Sequence, residues 1–341
     1  MSQPSQSPPP PPIQMLQMMM GHWVGQTAAA IARFEIPDHL AAGPRTNDDL
    51  ARTVGAVPAT LRRLLRAAAS VGILSEVSPG TFASTPLGDT LRKDAPGSLR
   101  DLVVAELAPG HWLPWGQLYE AVKTGRSQAR QTLGMDAWAY YAKTPEEGAC
   151  FARGMSNLSA IVAAETLPVY DFSPFGMIVD VGGSEGVMLA GALRAAPGAR
   201  GVLFDLPETI ERGRGKVSSY GLGNRLQVAA GDFLKAVPDG GDLYILKSIV
   251  HDWDDEQSVL ILKNVQRAAK PGAKVLIIEM VVPEVVAPTP VHLMDLNMLV
   301  MLDGRERSTQ EFAGLLGAAG LHFDRVVPTH GLFSLIEATK I

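Results

Sequence analysis

The sequence predicts an α/β protein: a doubly wound, mostly parallel sheet with an antiparallel C-terminal hairpin, preceded by a helical winged-helix domain. Three observations predict this fold. After Pro174, short apolar strands alternate with amphipathic helices, which implies a parallel sheet covered on both faces. The last two apolar segments are separated by a three-residue turn, and the first hundred residues contain a helix–turn–helix pattern followed by a small hairpin.

Composition excludes several classes of protein. The 341 residues, of which 46% are hydrophobic, suggest about two domains at ~150 residues each. A formal net charge of −5 gives no general attraction to nucleic acid or to anionic membrane. The apolar stretches are shorter than the ~20 residues that cross a bilayer, and no basic segment precedes an apolar one as in a secretory signal. The single cysteine, Cys150, suits a reducing compartment, so we expect a cytoplasmic protein.

The N-terminal segment combines a proline run with an apolar helix. Residues 1–12 have little apolar surface to bury and are predicted to form a disordered tail. From Ile13 to about Leu40 the spacing predicts a helix, with an apolar face that contains Met15, Met18, Met19 and Trp23. A methionine-rich face of this kind belongs either to a partner interface or to an ordinary core, and both remain open here.

Residues 13–100 are predicted to form the winged-helix domain. Thr46 is suited to cap the first helix, and a second, strongly amphipathic helix and a hairpin around Ser78–Gly80 follow. The second helix carries three arginines, which is a feature of winged helices that bind DNA: Arg62, Arg63 and Arg66. Because this patch is small and the chain is acidic, we interpret it as a solvated face.

Residues 101–173 are predicted to be a helical region that links the domains and lines the substrate site, and residues 174–341 to be the sheet domain. The helical region is rich in aromatic side chains, which either line a pocket for a flat molecule or pack in a core. The predicted strands are Met177–Val181, Gly201–Asp205, Leu226–Ala229, Leu243–Ser248, Ala273–Glu279, His322–Pro328 and Phe333–Thr339.

A glycine turn follows the first strand of the sheet domain. It reads D-x-G-x-x-x-G from Asp180 to Gly186, and no GxGxxG dinucleotide pattern can be drawn through it, which disfavours a nicotinamide enzyme. Asp205 ends the second strand, 23 positions after Gly182, close to the ~20 at which an acid accepts hydrogen bonds from ribose hydroxyls. The two features together predict a nucleoside ligand.

The segment Leu246–Asp255 matches L-x-x-x-x-H-D-W-x-D, and later segments extend the match in order: Pro271–Glu279, Asp295–Leu299 and Gly304–Phe312. With the glycine turn, these motifs resemble the Rossmann-like, class I S-adenosylmethionine-dependent O-methyltransferases of the caffeic acid and hydroxyindole type, in their bacterial small-molecule tailoring form. The resemblance covers nearly the whole chain beyond the proline tail. It implies S-adenosylmethionine as cofactor, S-adenosylhomocysteine as its product, a homodimer formed by the N-terminal domain, and a small hydroxylated aromatic acceptor.

The resemblance also assigns cofactor-binding positions. Asp232 would bond the adenine amino group, Phe233 would pack on the ring, and Lys247 would reach the adenine or its neighbourhood. For Lys247, an exposed lysine at the end of a strand is an equal alternative. Ser184 stands where the family usually has glycine. The full predicted cofactor set is Gly182, Gly183, Asp205, Leu206, Gly231, Asp232, Phe233 and Lys247.

His251 is the predicted general base, because a phenol has a pKa of ~10 and imidazole titrates near neutrality. The family implies that Glu279 and Glu306 bracket it and that Asp252 touches it. For Glu306, pairing with Arg305 or Arg307 is the alternative interpretation. The acidic run that follows resembles a metal cluster, but Asp254 is suited to cap the next helix, so we expect no metal.

Positions near the family's acceptor pocket match Trp115, Phe151, Met155, Asn297, Met298 and Met301, for each of which core packing is the rival interpretation. Relatives that methylate nitrogen, or that instead hydroxylate, decarboxylate or cyclise, remain alternatives. A winged-helix DNA-binding regulator is the distant one.

Overall fold

The computed structural model describes residues 9–341, which divide into two compact units. The first contains the chain up to Pro109 together with Pro145–Gly154, and the second contains Gly110–Thr144 and Met155–Ile341. The region 101–173, predicted as one helical segment, is therefore shared between the units. Most of the predicted disordered tail, residues 1–8, lies outside the described residues. No helix among the described residues is long and apolar enough to cross a membrane.

The first unit contains the predicted helix, turn, helix and two-stranded wing. Its helices are α1 (Pro11–Met19), α2 (Gly21–Arg33), α3 (Ile36–His39), α4 (Asn47–Val54), α5 (Pro58–Ser70), α6 (Pro86–Asp89) and α7 (Arg100–Glu106). Its strands are β1 (Arg45–Thr46), β2 (Leu74–Ser78) and β3 (Thr81–Ser84), which form one sheet in the order β1-β3-β2. The Thr46 side chain caps α4 by accepting a hydrogen bond from the Asp49 N–H, as predicted.

The helix predicted from Ile13 to Leu40 is interrupted twice. The first break is at Met20, and the second is at Glu35, whose backbone is left-handed with φ 54°. Pro37 explains the second break, since proline lacks an N–H and its ring clashes with the carbonyl four residues earlier. Two residues of the predicted tail, Pro11 and Pro12, form the first turn of α1, where no N–H is needed.

The second unit begins with helices and continues as the predicted α/β domain. The helices are α8 (Pro109–Trp115), α9 (Leu118–Thr124), α10 (Ala129–Leu133), α11 (Ala137–Lys143) and α12 (Pro145–Thr166), of which α8 and α12 begin in the first unit. The rest comprises β4 (Met177–Val181), α13 (Val187–Ala195), β5 (Arg200–Asp205), α14 (Pro207–Ser219), β6 (Leu226–Ala230), β7 (Leu243–Lys247), α15 (Asp255–Ala268), β8 (Lys274–Glu279), β9 (Val281–Val282), α16 (Val291–Leu302), β10 (Arg307–Ser308), α17 (Thr309–Ala318), β11 (Leu321–Pro328) and β12 (Ser334–Lys340). Short 3-10 turns lie at Leu167–Val169, Gly223–Arg225 and Val250–Asp252.

The large sheet has the order β11-β12-β8-β7-β4-β5-β6. Strands β4 to β8 pair in parallel, and β12 and β11 add an antiparallel pair at one side, which confirms the predicted fold class. Alternate side chains of β4 pack on opposite faces, with Ile178 in one core cluster and Val179 in the other. The chain order reverses between β4 and β7, and ligands of such sheets bind at the carboxyl ends of the strands beside this point.

Candidate active site

Two glycines of the turn after β4, Gly182 and Gly183, leave no room for a side chain. Gly182 and Gly186 have φ of 68° and 74°, in the left-handed region that favours glycine. A Cβ on Gly182 would lie 2.4 Å from Ile249 Cδ1, and one on Gly183 would lie 2.5 Å from Asp180 Oδ2. Packing against Ile249 and Asp180 therefore requires glycine at these two positions, and the segment carrying His251 lies directly beside the turn.

Ser184 adopts a left-handed backbone, with φ 53°, at the position where the resembling family has glycine. Such a conformation costs a residue with a Cβ roughly 1–2 kcal/mol. The Ser184 N–H donates to Asp205 Oδ2 at 2.8 Å, so the strained residue is held by the strand-end carboxylate.

Asp205 lies at the carboxyl end of β5, where the sequence placed it. Its Oδ1 accepts a second backbone hydrogen bond at 2.7 Å, from the N–H of the exposed residue Leu206. Burial raises the pKa of Asp205, and these two N–H donors oppose the rise. Each carboxylate oxygen keeps a further lone pair, so the group is able to accept from ribose hydroxyls.

The end of β6 forms the next part of the rim. A Cβ on Gly231 would lie 2.5 Å from an aromatic ring of β5, so glycine is required there as well. Phe233 packs edge-on against Trp253, with ring centroids 5.8 Å apart, and its carbonyl accepts a hydrogen bond from Asn264 Nδ2 at 2.7 Å. Asp232 is half-buried beside it. The support that Asn264 gives to Phe233 is a contact that sequence spacing does not reveal.

A small cavity behind the glycine turn is lined by two ionisable groups, the buried Asp180 and the half-buried Lys247. Asp180 is 1% exposed, and its Oδ2 has no hydrogen-bond partner within residues 9–341. Burial raises the pKa of Asp180 to about 7, which the charge of Lys247 opposes, and burial lowers the pKa of Lys247. Lys247 lines this cavity with Asp180 and Ser156. Its predicted reach toward adenine therefore stays a prediction.

His251 lies in the 3-10 turn that follows β7 and is 9% exposed. Its Nδ1 is 2.7 Å from Glu306 Oε1, and its Nε2 is 3.5 Å from Asp252 Oδ1. Because the Glu306 carboxylate accepts the Nδ1 proton, Nε2 is the nitrogen left to take a proton from elsewhere. The structure thus brings together three of the four predicted catalytic side chains.

Glu279 contacts the histidine differently from what the resemblance implied. Its Oε1 accepts hydrogen bonds from three consecutive backbone N–H groups, those of Ile249, Val250 and His251, at 3.1, 2.7 and 3.1 Å. The 3-10 turn leaves these donors without partners inside the turn, and a carboxylate at the end of β8 satisfies them. Glu279 therefore holds the backbone of His251 and is not hydrogen-bonded to the imidazole.

The surrounding carboxylates control the charge of the imidazole. Burial lowers the pKa of His251, but Asp252, Glu279 and Glu306 outweigh it and raise that pKa to about 9. Burial raises the pKa of Asp252 to about 6 and that of Glu279 to about 7, while the charge of His251 opposes both shifts.

Arg307 is a residue that the sequence analysis did not place in the site. It was considered only as a rival partner for Glu306, but its guanidinium is paired with Asp255 at 2.8 Å. It also donates to the carbonyl oxygens of Val250 and Trp253, on either side of His251. Its place next to Glu306 in the sequence was the available signal.

The acidic run after His251 has structural partners. Asp254 caps α15 by accepting from the Gln257 N–H at 2.9 Å, as predicted, and Asp255 pairs with Arg307. In the part of the chain that the structure describes, no three His, Cys, Asp or Glu side chains are grouped so that they could hold a metal ion.

Two of the predicted acceptor residues contact each other. Trp115 Nε1 donates to Asn297 Oδ1 at 2.7 Å, which fixes the amide of α16. Met298 and Met301 are buried, and Met301 packs with small side chains of α9 to α11, so its position supports the core interpretation. Phe151 and Met155 are half-buried on α12, the first in one unit and the second in the other, and their role stays a prediction.

Comparison with known proteins agrees along nearly the whole chain. Family models of an O-methyltransferase domain and of an O-methyltransferase dimerisation domain match residues 115–322 and 16–94. A phenazine O-methyltransferase of Lysobacter antibioticus is 37% identical over 327 residues, 96% of each chain. An 8-amino-8-demethylriboflavin N,N-dimethyltransferase of Streptomyces davaonensis is 34% identical, over 90% of this chain and 89% of that one. The crystal structure of human N-acetylserotonin methyltransferase with S-adenosylmethionine superposes with a TM-score of 0.90 at 26% identity, covering 98% of this chain and 99% of that one.

Proposed function

Because the chain belongs to the S-adenosylmethionine-dependent O-methyltransferase family, we propose that it methylates a hydroxyl of a small aromatic acceptor, with His251 as general base and without a metal. The observation that carries this proposal is the pair of contacts on the imidazole. Nδ1 is fixed by Glu306 at 2.7 Å, and Nε2 is left to accept a proton. This ring lies in the turn whose Ile249 side chain packs on Gly182 of the cofactor turn.

The residues present fit the cofactor. When bound, S-adenosylmethionine supplies a methyl group on a positively charged sulfonium. Asp205 would hold the ribose hydroxyls, and Asp232 and Phe233 the adenine. The glycine turn lies at the carboxyl end of β4, where ligands of such sheets bind. Asp180, a buried carboxylate with an unpartnered oxygen facing the cavity behind this turn, suits a cationic ligand.

The histidine then acts on the acceptor. Nε2 of His251 removes the hydroxyl proton, so that the oxygen becomes a good nucleophile for the methyl carbon, whose bond to sulfur would break to leave S-adenosylhomocysteine. Glu306 holds the imidazole in the tautomer with Nδ1 protonated and stabilises the imidazolium that forms. Asp252, 3.5 Å from Nε2, adds to that stabilisation. The positive charge that forms on His251 is compensated by the carboxylates of Asp252, Glu279 and Glu306.

We also propose that the protein is a homodimer formed through its N-terminal domain. The dimerisation-domain match over residues 16–94 supports this, as do large apolar side chains that α1 and α2 leave exposed, among them Met15 (65%), Met18 (72%) and Trp23 (55%). A Met15→Glu/Met18→Glu variant should shift the mass measured by light scattering toward the monomer. A wild-type protein that elutes as a monomer at micromolar concentration would contradict the dimer.

Nitrogen is the second acceptor atom to consider, because a relative that is 34% identical is an N,N-dimethyltransferase. A neutral amine attacks through its lone pair and loses a proton only afterwards, so nitrogen methylation would not require His251 as a base. A panel containing a hydroxyphenazine, N-acetylserotonin and 8-amino-8-demethylriboflavin separates the two reactions by mass spectrometry of the products.

The test of the proposed function combines this panel with a histidine variant. His251→Ala should lower turnover of the best hydroxyl acceptor by about 10³-fold, within the range of general-base and triad removals, while S-adenosylhomocysteine affinity stays near wild type. His330→Ala, at an exposed hairpin position, is the matched control and should retain activity. Turnover that survives His251→Ala, or methylation confined to the amine acceptor, would refute the base assignment.

A further inference from the structure

Arg307 is fully buried, at 0% exposure, and each of its N–H groups has an acceptor within reach. Nη1 donates to the carbonyl oxygens of Val250 at 3.0 Å and Arg305 at 3.4 Å. Nη2 donates to the Trp253 carbonyl at 2.9 Å and, with Nε, to Asp255 Oδ1 at 2.8 and 3.0 Å. A guanidinium presents five donors in a rigid fork, so this arrangement fixes its acceptors relative to one another.

Two of those acceptors, the carbonyl oxygens of Val250 and Trp253, belong to the turn that carries His251. Glu279 binds the N–H groups at the start of this turn, through Ile249, Val250 and His251. Arg307 binds carbonyl oxygens of the same turn, on both sides of the histidine. The Glu279 carboxylate therefore binds the N–H groups of this short segment, and the Arg307 guanidinium binds its carbonyl oxygens.

Glu279 and Arg307 are connected through the short ladder of β9 and β10. Arg307 pairs with Val281 in the parallel ladder of β9 and β10, and Val281 follows Glu279 by two residues. Glu306, which bonds the imidazole, directly precedes Arg307 in the chain. A displacement of this ladder would thus move the backbone support of His251 and the partner of its ring together.

From this geometry we infer that Arg307 is a positioning residue for methyl transfer, which fixes the His251 turn so that the imidazole keeps Nδ1 on Glu306 and Nε2 toward the acceptor. The inference rests on the proposed role of His251 as base. The rival explanation is that Arg307 only compensates the charge of Asp255 and contributes to folding. That rival predicts a loss independent of His251.

The test is a double-mutant cycle measured with the best hydroxyl acceptor of the panel. Arg307→Lys keeps the charge but not the fork, and should lower kcat on the order of 10²-fold, as a reacting group misplaced by ~1 Å does, with KM and S-adenosylhomocysteine affinity nearly unchanged. His251→Ala/Arg307→Lys should be no slower than His251→Ala alone, because the residue being positioned is absent. Arg214→Lys, an exposed arginine of α14, is the control and should behave as wild type.

A second readout does not depend on turnover. The Nδ1 proton shared with Glu306 should give a downfield proton resonance in the S-adenosylhomocysteine complex, absent from His251→Ala and shifted or broadened in Arg307→Lys. Normal kcat in Arg307→Lys, additive losses in the cycle, an unchanged resonance, or loss of S-adenosylhomocysteine binding would overturn the positioning role. Turnover that survives in His251→Ala would instead refute the base assignment itself, so the two failures are distinguishable.

Discussion

The proposed cofactor end (Gly182–Gly186, Asp205 and Gly231–Phe233) and the histidine turn (Ile249–Trp253) are held in place in different ways. At the cofactor end, each functional group lies where a strand stops, and backbone N–H groups position Asp205: that of its neighbour Leu206 and that of Ser184, 21 positions away. The histidine turn is held by side chains far along the chain, with Glu279, Glu306 and Arg307 separated by 28, 55 and 57 positions from the groups they bind. The proposed cofactor residues thus depend mainly on glycines and backbone donors at strand ends, whereas the geometry of the proposed base depends on side chains from distant parts of the chain. Changes at the two ends should therefore affect different kinetic constants.

The largest effect expected in this comparison is that of Glu306→Gln. An amide can donate to Nδ1 and so stabilise the wrong tautomer of His251, for which a loss of kcat of about 10³-fold is expected. S-adenosylhomocysteine affinity, measured by calorimetry, should stay the same. Glu284→Gln changes an exposed glutamate and serves as control. Equal losses of affinity and kcat would show that the two ends are not separable.

The pH dependence should show the charge of the histidine turn. With its pKa raised to about 9, the imidazole of the free enzyme is protonated at pH 7 and cannot accept a proton. kcat/KM should therefore rise with pH, by about tenfold per unit, and level off near pH 9. The rise of kcat should occur at a lower pH than that of kcat/KM, because the positive sulfonium of the bound cofactor disfavours the imidazolium and so lowers the pKa of His251. A kcat/KM that is flat between pH 6 and 9 would contradict the charge assignment.

Asp205→Asn tests the cofactor end. Loss of a charge-assisted acceptor for ribose should weaken S-adenosylhomocysteine binding by roughly 10- to 100-fold, equivalent to about 1.5–3 kcal/mol. kcat at saturating cofactor should change little. Glu208→Gln, an exposed carboxylate in the first turn of α14, is the control. A kcat effect larger than the affinity effect would mean that Asp205 acts on the chemistry.

The smallest effect is expected from Ser184→Gly. Removing the Cβ relieves the left-handed strain, so the free energy of unfolding should rise by up to about 1 kcal/mol, in thermal or denaturant unfolding. Ser219→Gly, in the last turn of α14, should lower it instead, because glycine is a poor helix former. A destabilised Ser184→Gly would show that the hydroxyl, and not the backbone, is what this position requires.

The sequence predicted what short-range patterns determine. The strand order of functional motifs, the glycine turn, the Thr46 and Asp254 caps and the place of His251 were all available from spacing and local chemistry. Glu306 on the imidazole was implied by family resemblance, and the structure places it there.

The remainder depends on packing between distant elements. Whether Glu279 would contact the ring or the backbone depends on where β8 ends relative to the 3-10 turn, which no local pattern encodes. The contacts of Arg307 with the His251 turn depend on the pairing of β9 with β10. Each of these strands is two residues long and too short to be recognised in the sequence. The break at Glu35 was missed because the apolar period outweighed Pro37 in the prediction.

Proton removal by His251 is tested by the loss of turnover that His251→Ala causes with different acceptors. Their hydroxyl pKa values should lie above, near and below the assay pH. If His251 removes the proton, the loss should be about 10³-fold for a neutral phenol and should nearly vanish for an acceptor that is already ionised. An equal loss for every acceptor would contradict the account, since it would show that residue 251 contributes something other than a base.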